Sequence, residues 1–340
     1  MTEIPLDKKA NIRIIRKLRQ DGLLSEVAFD AARSLLRPTS VWLAWARRML
    51  LFFGSALVLA GVVFFFAYNW TEMGRFLKFV LIEVGIVACI IAASLRGFLR
   101  LSGKVLLLSA SVLVGVLLAV YGQIYQTGAD AFELFIGWAV LIFGWVLVSE
   151  FAALWMVWII LLNTGAILYW EQVGHPSHSI PYGLFCLAIA SFNSIALALY
   201  EVGTYSGLKW LSGRWFRSIL LAGILVALSI PTLHVIWDLG GIERATLFAA
   251  CGWGVAAVCG YACYRFKLHD MIPIALIVSN VCLILLVLIA KGLLRDTRGN
   301  GAGLFLLFSL IVLAVVSGAV FLLRNTAAKM AKGKKKVIDE

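Results

Sequence analysis

"FELFIGWAVLIFGWVLVSEFAALWMVWIILLNTGAILYW", Phe132 to Trp170, runs for 39 residues with two charges, Glu133 and Glu150. As one helix it would reach about 58 Å at 1.5 Å per residue, roughly twice the ~30 Å hydrocarbon core of a bilayer. The stretch therefore reads as two spans, 132–149 and 151–170, joined by a tight hairpin at Ser149-Glu150. That reading sets the direction of every later span.

Outward from this hairpin, eight more apolar runs are long enough to cross a bilayer: 49–69, 76–95, 104–121, 180–200, 218–237, 246–264, 271–291 and 304–323. Hydrophobic residues make up 62% of the 340-residue chain and charged residues 14%, against roughly 45–50% and about 25% in ordinary globular proteins. The expected fold is all-α: a polytopic transmembrane bundle of about ten helices. It is expected to comprise a cytoplasmic amphipathic helical hairpin at 1–45, a transmembrane domain at 46–325 and a basic cytoplasmic tail at 326–340.

Charge gives the orientation. Of the 30 Lys and Arg, 24 fall on one side of the alternating spans and six on the other, namely Arg75, Lys78, Arg244, Lys291, Arg295 and Arg298. Positive charge is retained on the cytoplasmic side, so both termini are expected there, in a bacterial inner membrane. This pattern accounts for the net charge of +12 without a nucleic-acid partner, and no nucleic-acid-binding motif accompanies it. The lipid bilayer is the expected partner, with another envelope protein as a further one; the oligomeric state stays open. The first forty-odd residues lack an apolar core, so no cleavable signal peptide is expected.

Ahead of the first span, Ile12, Ile15 and Leu18, then Val27, Phe29 and Leu35, recur at helical spacing. Asp21-Gly22 supplies a turn between two helices, Ser25 a cap for the second, and Pro38 its end. The basic residues of the first helix suit either anionic lipid or water. The tail from Ala327 is expected to be unstructured. Trp42, Trp45, Trp70, Trp170, Trp210, Trp215 and Trp237 lie near span ends, as an aromatic belt requires. Pro231 should kink the seventh span. All six cysteines lie within apolar runs, where they read as small hydrophobes rather than disulfides or ligands.

Against this background "VYGQIYQTGADAFELF", Val120–Phe135, is anomalous. It lies at the extracytoplasmic end of the third span. On a helical projection Gln123, Gln126, Thr127, Asp130 and Glu133 share one arc, while Tyr121, Tyr125 and Phe132 take the opposite one. Gly122 and Gly128 leave a re-entrant turn equally open. The arc either meets water and headgroups or lines an outward-open cavity. Glu83, inside the second span, lies about 10 Å from the outer boundary. A charge there costs roughly 2.5–3.5 kcal/mol, so it should be protonated, paired with Arg75 or Lys78, or wet. Intramembrane carboxylates are functional candidates for that reason.

"FGSALVLAGVVFFFAYNW" at Phe53–Trp70, together with "YGQIYQTGADAFELFIGWA" at Tyr121–Ala139, resembles a bacterial family of predicted inner-membrane proteins, domain of unknown function 2157. The Gly22-Leu23-Leu24-Ser25 turn also resembles that family's opening segment. The resemblance covers roughly residues 10–160 and implies membrane location without an assigned activity. Where relatives carry a proline late in the fourth span, this chain has Gly144. The likeness points to Asn69, Trp70 and Gly128 beside the polar residues already named. Asn69, Glu83, Gln123, Gln126, Asp130 and Glu133 form the candidate binding cluster on the outer side.

His175, His178 and His234, with Glu171 and Asp238 near them, lack an established ligand spacing, and no metal site or cofactor is expected. No nucleotide-binding loop, zinc-protease motif or nucleophile elbow is present. Three functions remain: a carrier or lipid-handling protein with an outward polar cavity, a non-catalytic scaffold or accessory subunit of an envelope complex, and an enzyme at the outer face using Asp130, Glu133 or Glu83. The first two stand ahead of the third.

Overall fold

A computed structural model describes residues 12–36, 39–68, 72–126, 128–177, 180–211, 213–237, 243–295 and 301–338. Asn69, Trp70, Thr127, His178 and Asp238 lie outside the described residues. The chain is an all-α polytopic membrane protein. Among the described residues, ten helices are long and apolar enough to cross a membrane, and each expected run falls on one of them. Contacts divide the chain into two compact units, Met1–Val116 and Leu117–Glu340.

The first unit opens with α1 (Ile12–Gln20) and α2 (Glu26–Leu36). Gly22 takes φ +73° in the turn between them, a conformation that glycine adopts without strain. The Ser25 hydroxyl accepts from the Ala28 amide at 3.3 Å, capping α2. Arg19 reaches Glu26 at 2.6 Å and lies over the Phe29 ring, while Ile15 and Phe29 are buried. Three apolar helices follow: α3 (Thr39–Tyr68), α4 (Arg75–Arg96) and the first part of α5 (Leu101–Tyr125). α3 begins well before the apolar run, so Trp42 and Trp45 stack at 4.8 Å on a continuous helix. A cavity of about 520 Å3 lies between α3, α4 and α5 and is lined almost entirely by apolar side chains.

The second unit holds the end of α5, then α6 (Ala131–Ser149), α7 (Ala152–Tyr169), α8 (Tyr182–Tyr205), α9 (Arg214–Trp237), α10 (Arg244–Ala262), α11 (Met271–Arg295) and α12 (Gly301–Ile338). The Ser149-Glu150 hairpin is present. Glu150 adopts φ 45°, ψ 44°, a left-handed residue that reverses the chain between α6 and α7. The two helices then pack along their length. Trp158 Nε1 donates to the Ala139 carbonyl at 3.0 Å, and a Cβ on Gly165 would come within 2.7 Å of Ile136 Cδ1. The last turns after α7 and α10 widen into π-helical turns, Trp170–Gly174 and Cys263–Lys267.

α9 is the centre of this unit: half of its membrane-length window is buried, the highest share of the ten. It packs on α7, α8, α10 and α11. It passes through Pro231, and next to it the Thr232 hydroxyl donates to the Leu228 carbonyl at 2.7 Å. At its far end α8 meets α10 so closely that a Cβ on Gly183 would sit 2.2 Å from the Ala245 carbonyl carbon. α12 continues as helix through Ile338, where an unstructured tail was expected; its Lys- and Ala-rich sequence has good helix propensity.

Because successive helices alternate in direction, the turns at 206–213 and 268–270 share one end of this unit, and those at 126–130 and 175–181 share the other.

Candidate functional site

The polar stretch of the sequence forms a turn rather than a continuous helix. α5 stops at Tyr125, Gln126 takes φ +43° and Gly128 φ +62°, and α6 restarts at Ala131. Asp130 stands at the helix start without a side-chain capping bond. Gln123, Gln126, Asp130 and Glu133 are all exposed. Gln126, Asp130 and Glu133 border a shallow cavity of about 340 Å3 that Gln123 does not line. The turn is held to the end of α7 by Phe132, whose amide donates to Gln172 Oε1 at 3.4 Å and whose ring meets Tyr169 edge-on. Tyr121 and Tyr125 pack against each other at 4.8 Å.

Glu83 lies in the first unit, on an exposed face of α4. Lys78 is buried there, and no ion pair joins Glu83 to it or to Arg75 among the described residues. Of the histidines, His175 packs on the Trp170 ring and His234 is exposed.

The densest polar chemistry sits elsewhere, at the 206–213 end of the second unit. Arg217, in the first turn of α9, donates through Nε and Nη2 to the two oxygens of Glu201, at 2.5 and 2.8 Å. Its Nη1 donates to Asp270 Oδ2 at 2.6 Å. The side chains of all three are less than a fifth exposed. Tyr264 adds a hydroxyl to Glu201 Oε1 at 3.1 Å, and the Asp270 Oδ1 accepts the Ile272 amide, capping α11. The guanidinium also lies near the Tyr200 and Tyr264 rings. One cation is thus shared by two carboxylates, each with a further donor, as a buried charge requires.

Two amide clusters lie deeper in the bundle. Asn163 on α7 and Asn193 on α8 exchange hydrogen bonds at 2.7 and 3.3 Å, and each also donates to its own helix four residues back. Asn280 on α11 accepts from Trp253 Nε1 at 2.8 Å and donates to Ser229 at 2.9 Å. Such bonds join helices where the hydrophobic effect cannot.

Two cavities flank the α8–α9 pair. One, of about 500 Å3, runs from Asn163 and Asn193 to Trp170, Glu171 and Tyr182. The other, of about 720 Å3, lies between α8, α9 and α10 and ends on Glu201, Tyr264 and Lys267. Val202, Tyr205, Cys259 and Cys263 line the larger one and are exposed, so its mouth is on the lateral surface of the helices. Its apolar walls with a few polar groups at one end fit an amphipathic molecule, and its size lies in the usual ligand range of about 300–1,000 Å3.

Sequence reasoning used Arg217 only as a topology marker and passed over Glu201 and Asp270. Their visible signal was modest: two carboxylates on the side rich in Lys and Arg. The amides carried a clearer one, an Asn near the middle of each of three apolar runs.

Residues 16–155 match the model of a family described as "Predicted membrane protein (DUF2157)". No curated protein and no solved structure matches the chain. The matched segment takes in α2 to α6 and ends in the first turn of α7, so Arg217, Glu201, Asp270 and the amide clusters all lie beyond it.

Proposed function

For a chain whose residues 16–155 form a DUF2157 membrane segment, we propose a role in handling an amphipathic or lipid molecule from within the bilayer. The chain would sit in a bacterial inner membrane with both termini and the 206–213 end in the cytoplasm, following its distribution of Lys and Arg. The observation that carries this reading is the cavity of about 720 Å3 between α8, α9 and α10. Its mouth opens sideways among apolar side chains, and one end carries a carboxylate and a phenol with the exposed Lys267 ammonium beside them. An apolar tail would lie along Leu197, Leu221 and Ile224, with a polar head against Glu201, Tyr264 and Lys267.

This differs from a carrier built around the outer cluster, because Gln126, Asp130 and Glu133 border only a shallow surface cavity and Gln123 is exposed outside it. The test is flux or flipping of fluorescent phospholipids in proteoliposomes. Ser194→Trp fills the cavity from an exposed lining position without removing a buried bond. It should abolish transfer while the protein stays folded. Transfer at the wild-type rate in Ser194→Trp would refute the reading.

The scaffold alternative is favoured by Glu83. A carboxylate on an exposed helix face at mid-span is costly against lipid, and a partner helix with a donor would relieve that cost. Co-purification from native membranes that is lost in Glu83→Leu would support it.

A further inference from the structure

The last turn of α10, the π-helical turn that follows it and the Phe321–Lys329 stretch of α12 enclose a polar cavity distinct from the amphiphile cavity. Tyr261 and Arg265 are four residues apart on one wall, and Asn325 and Lys329 are four apart on the other, with Thr326 beside them. Residues at that spacing share a helix face, so the two walls present their polar sides to a volume of about 290 Å3.

The cavity is organised. Arg265 Nη1 donates to the Tyr261 hydroxyl at 2.8 Å, and its guanidinium lies over the Tyr261 and Phe266 rings. The Tyr261 hydroxyl in turn lies 3.4 Å from the buried Thr326 hydroxyl, which donates to the Leu322 carbonyl. Leu323 and Met330 pack against the cluster around Tyr264, which holds this part of α12 in place. One of the five guanidinium donors is thereby used; among the described residues no other bond takes the rest or the Lys329 ammonium, which leaves them for a ligand.

Charge states what that ligand is. Among the described residues no carboxylate lines the cavity, and none forms an ion pair with Arg265 or Lys329. Glu201 and Asp270, at the same end, are both engaged by Arg217. The cavity also lies where the membrane-length stretches of both helices end, at Lys267 and Met330. That is the level of headgroups, where basic pockets between helices hold lipid phosphates. Phe321 and Leu322 form its apolar edge.

We propose that Tyr261, Arg265, Asn325 and Lys329 form a binding site for a phosphate-bearing anion, either the headgroup of an acidic phospholipid or free phosphate. The site does not depend on the amphiphile cavity, and Ser194→Trp leaves it intact.

The experiment uses the purified full chain in detergent, read by native mass spectrometry. It is titrated with phosphatidylglycerol, with phosphatidylcholine of the same chain length, and with inorganic phosphate. The wild type should bind phosphatidylglycerol more tightly than phosphatidylcholine, and Arg265→Gln and Lys329→Gln should each weaken that binding roughly fivefold. Tyr261→Phe, which frees Arg265 while keeping both charges, should weaken it less. Arg214→Gln, an exposed cation at the same end that lines neither cavity, should leave it unchanged. Thermal melts identify any variant that fails to fold. Binding of phosphatidylglycerol that phosphate does not displace assigns the site to lipid; binding or displacement by phosphate assigns it to the free anion. Equal binding of the two lipids with no phosphate binding overturns the proposal, as does an Arg214→Gln loss equal to that of Arg265→Gln.

Discussion

Arg217 grips Glu201 with two parallel hydrogen bonds and keeps its remaining nitrogen on Asp270. Three helices, α8, α9 and α11, are thereby joined through a single guanidinium. Replacing it with an apolar side chain leaves two carboxylates close together in a largely dry site. Arg217→Met should cost about 3–5 kcal/mol of unfolding free energy. Arg217→Lys should recover only part of this, because an ammonium cannot form the paired contact. Unfolding in mixed micelles, followed by tryptophan fluorescence, measures both. An Arg217→Met variant as stable as the wild type would show that the carboxylates find other partners.

The Asn163–Asn193 pair should behave as a membrane-buried clasp of ordinary strength. A double-mutant cycle with Asn163→Leu and Asn193→Leu should give a coupling of about 0.6 kcal/mol, and not above ~1.7 kcal/mol. Both amides line the cavity of about 500 Å3. A much larger coupling would mean that the pair organises this cavity as well as joining α7 to α8.

Two glycines predict opposite outcomes for the same substitution. A Cβ at Gly183 would meet the backbone of Ala245, which cannot swing aside, whereas Gly254 has open space around it. Gly183→Ala should destabilise the fold by about 1–3 kcal/mol. Gly254→Ala should stabilise it by up to ~1 kcal/mol through helix propensity. Thermal melts of the two variants side by side decide the matter.

Orientation can be tested at two turns through the exposed residues Asp130 and Ser206. In a background lacking native cysteines, Asp130→Cys should react with an impermeant maleimide in intact spheroplasts. Ser206→Cys should react only after permeabilisation. The reverse pattern would place the 206–213 end, with its Arg217 cluster, outside.

The spans and the α6–α7 hairpin are legible because they follow from length: 39 nearly uncharged residues exceed one bilayer and fall short of three. The α1–α2 turn is legible because Gly22 and Ser25 carry local conformational preferences. Nothing local marks Arg217, whose partners lie 16 and 53 residues away. In the sequence it resembles any cation at the start of a span. The polar stretch at 120–135 misleads in the other direction. Its helical projection assumes continuity, but the chain turns at Gln126 and Gly128, so the arc it predicts is broken between two helices.

Between Lys104 and Lys209 the chain carries no lysine or arginine at all. The helices from α6 to α8 therefore enter the membrane without a retention signal of their own, and the short turn at Glu150 supplies a negative charge instead. Their direction must be inherited from the basic segments on either side, much as the middle of a zip follows its two ends. An Arg-Lys pair inserted after Glu150 would agree with that inheritance, whereas the same pair inserted after Gly128 would oppose it and set the biogenesis of the whole hairpin against its neighbours.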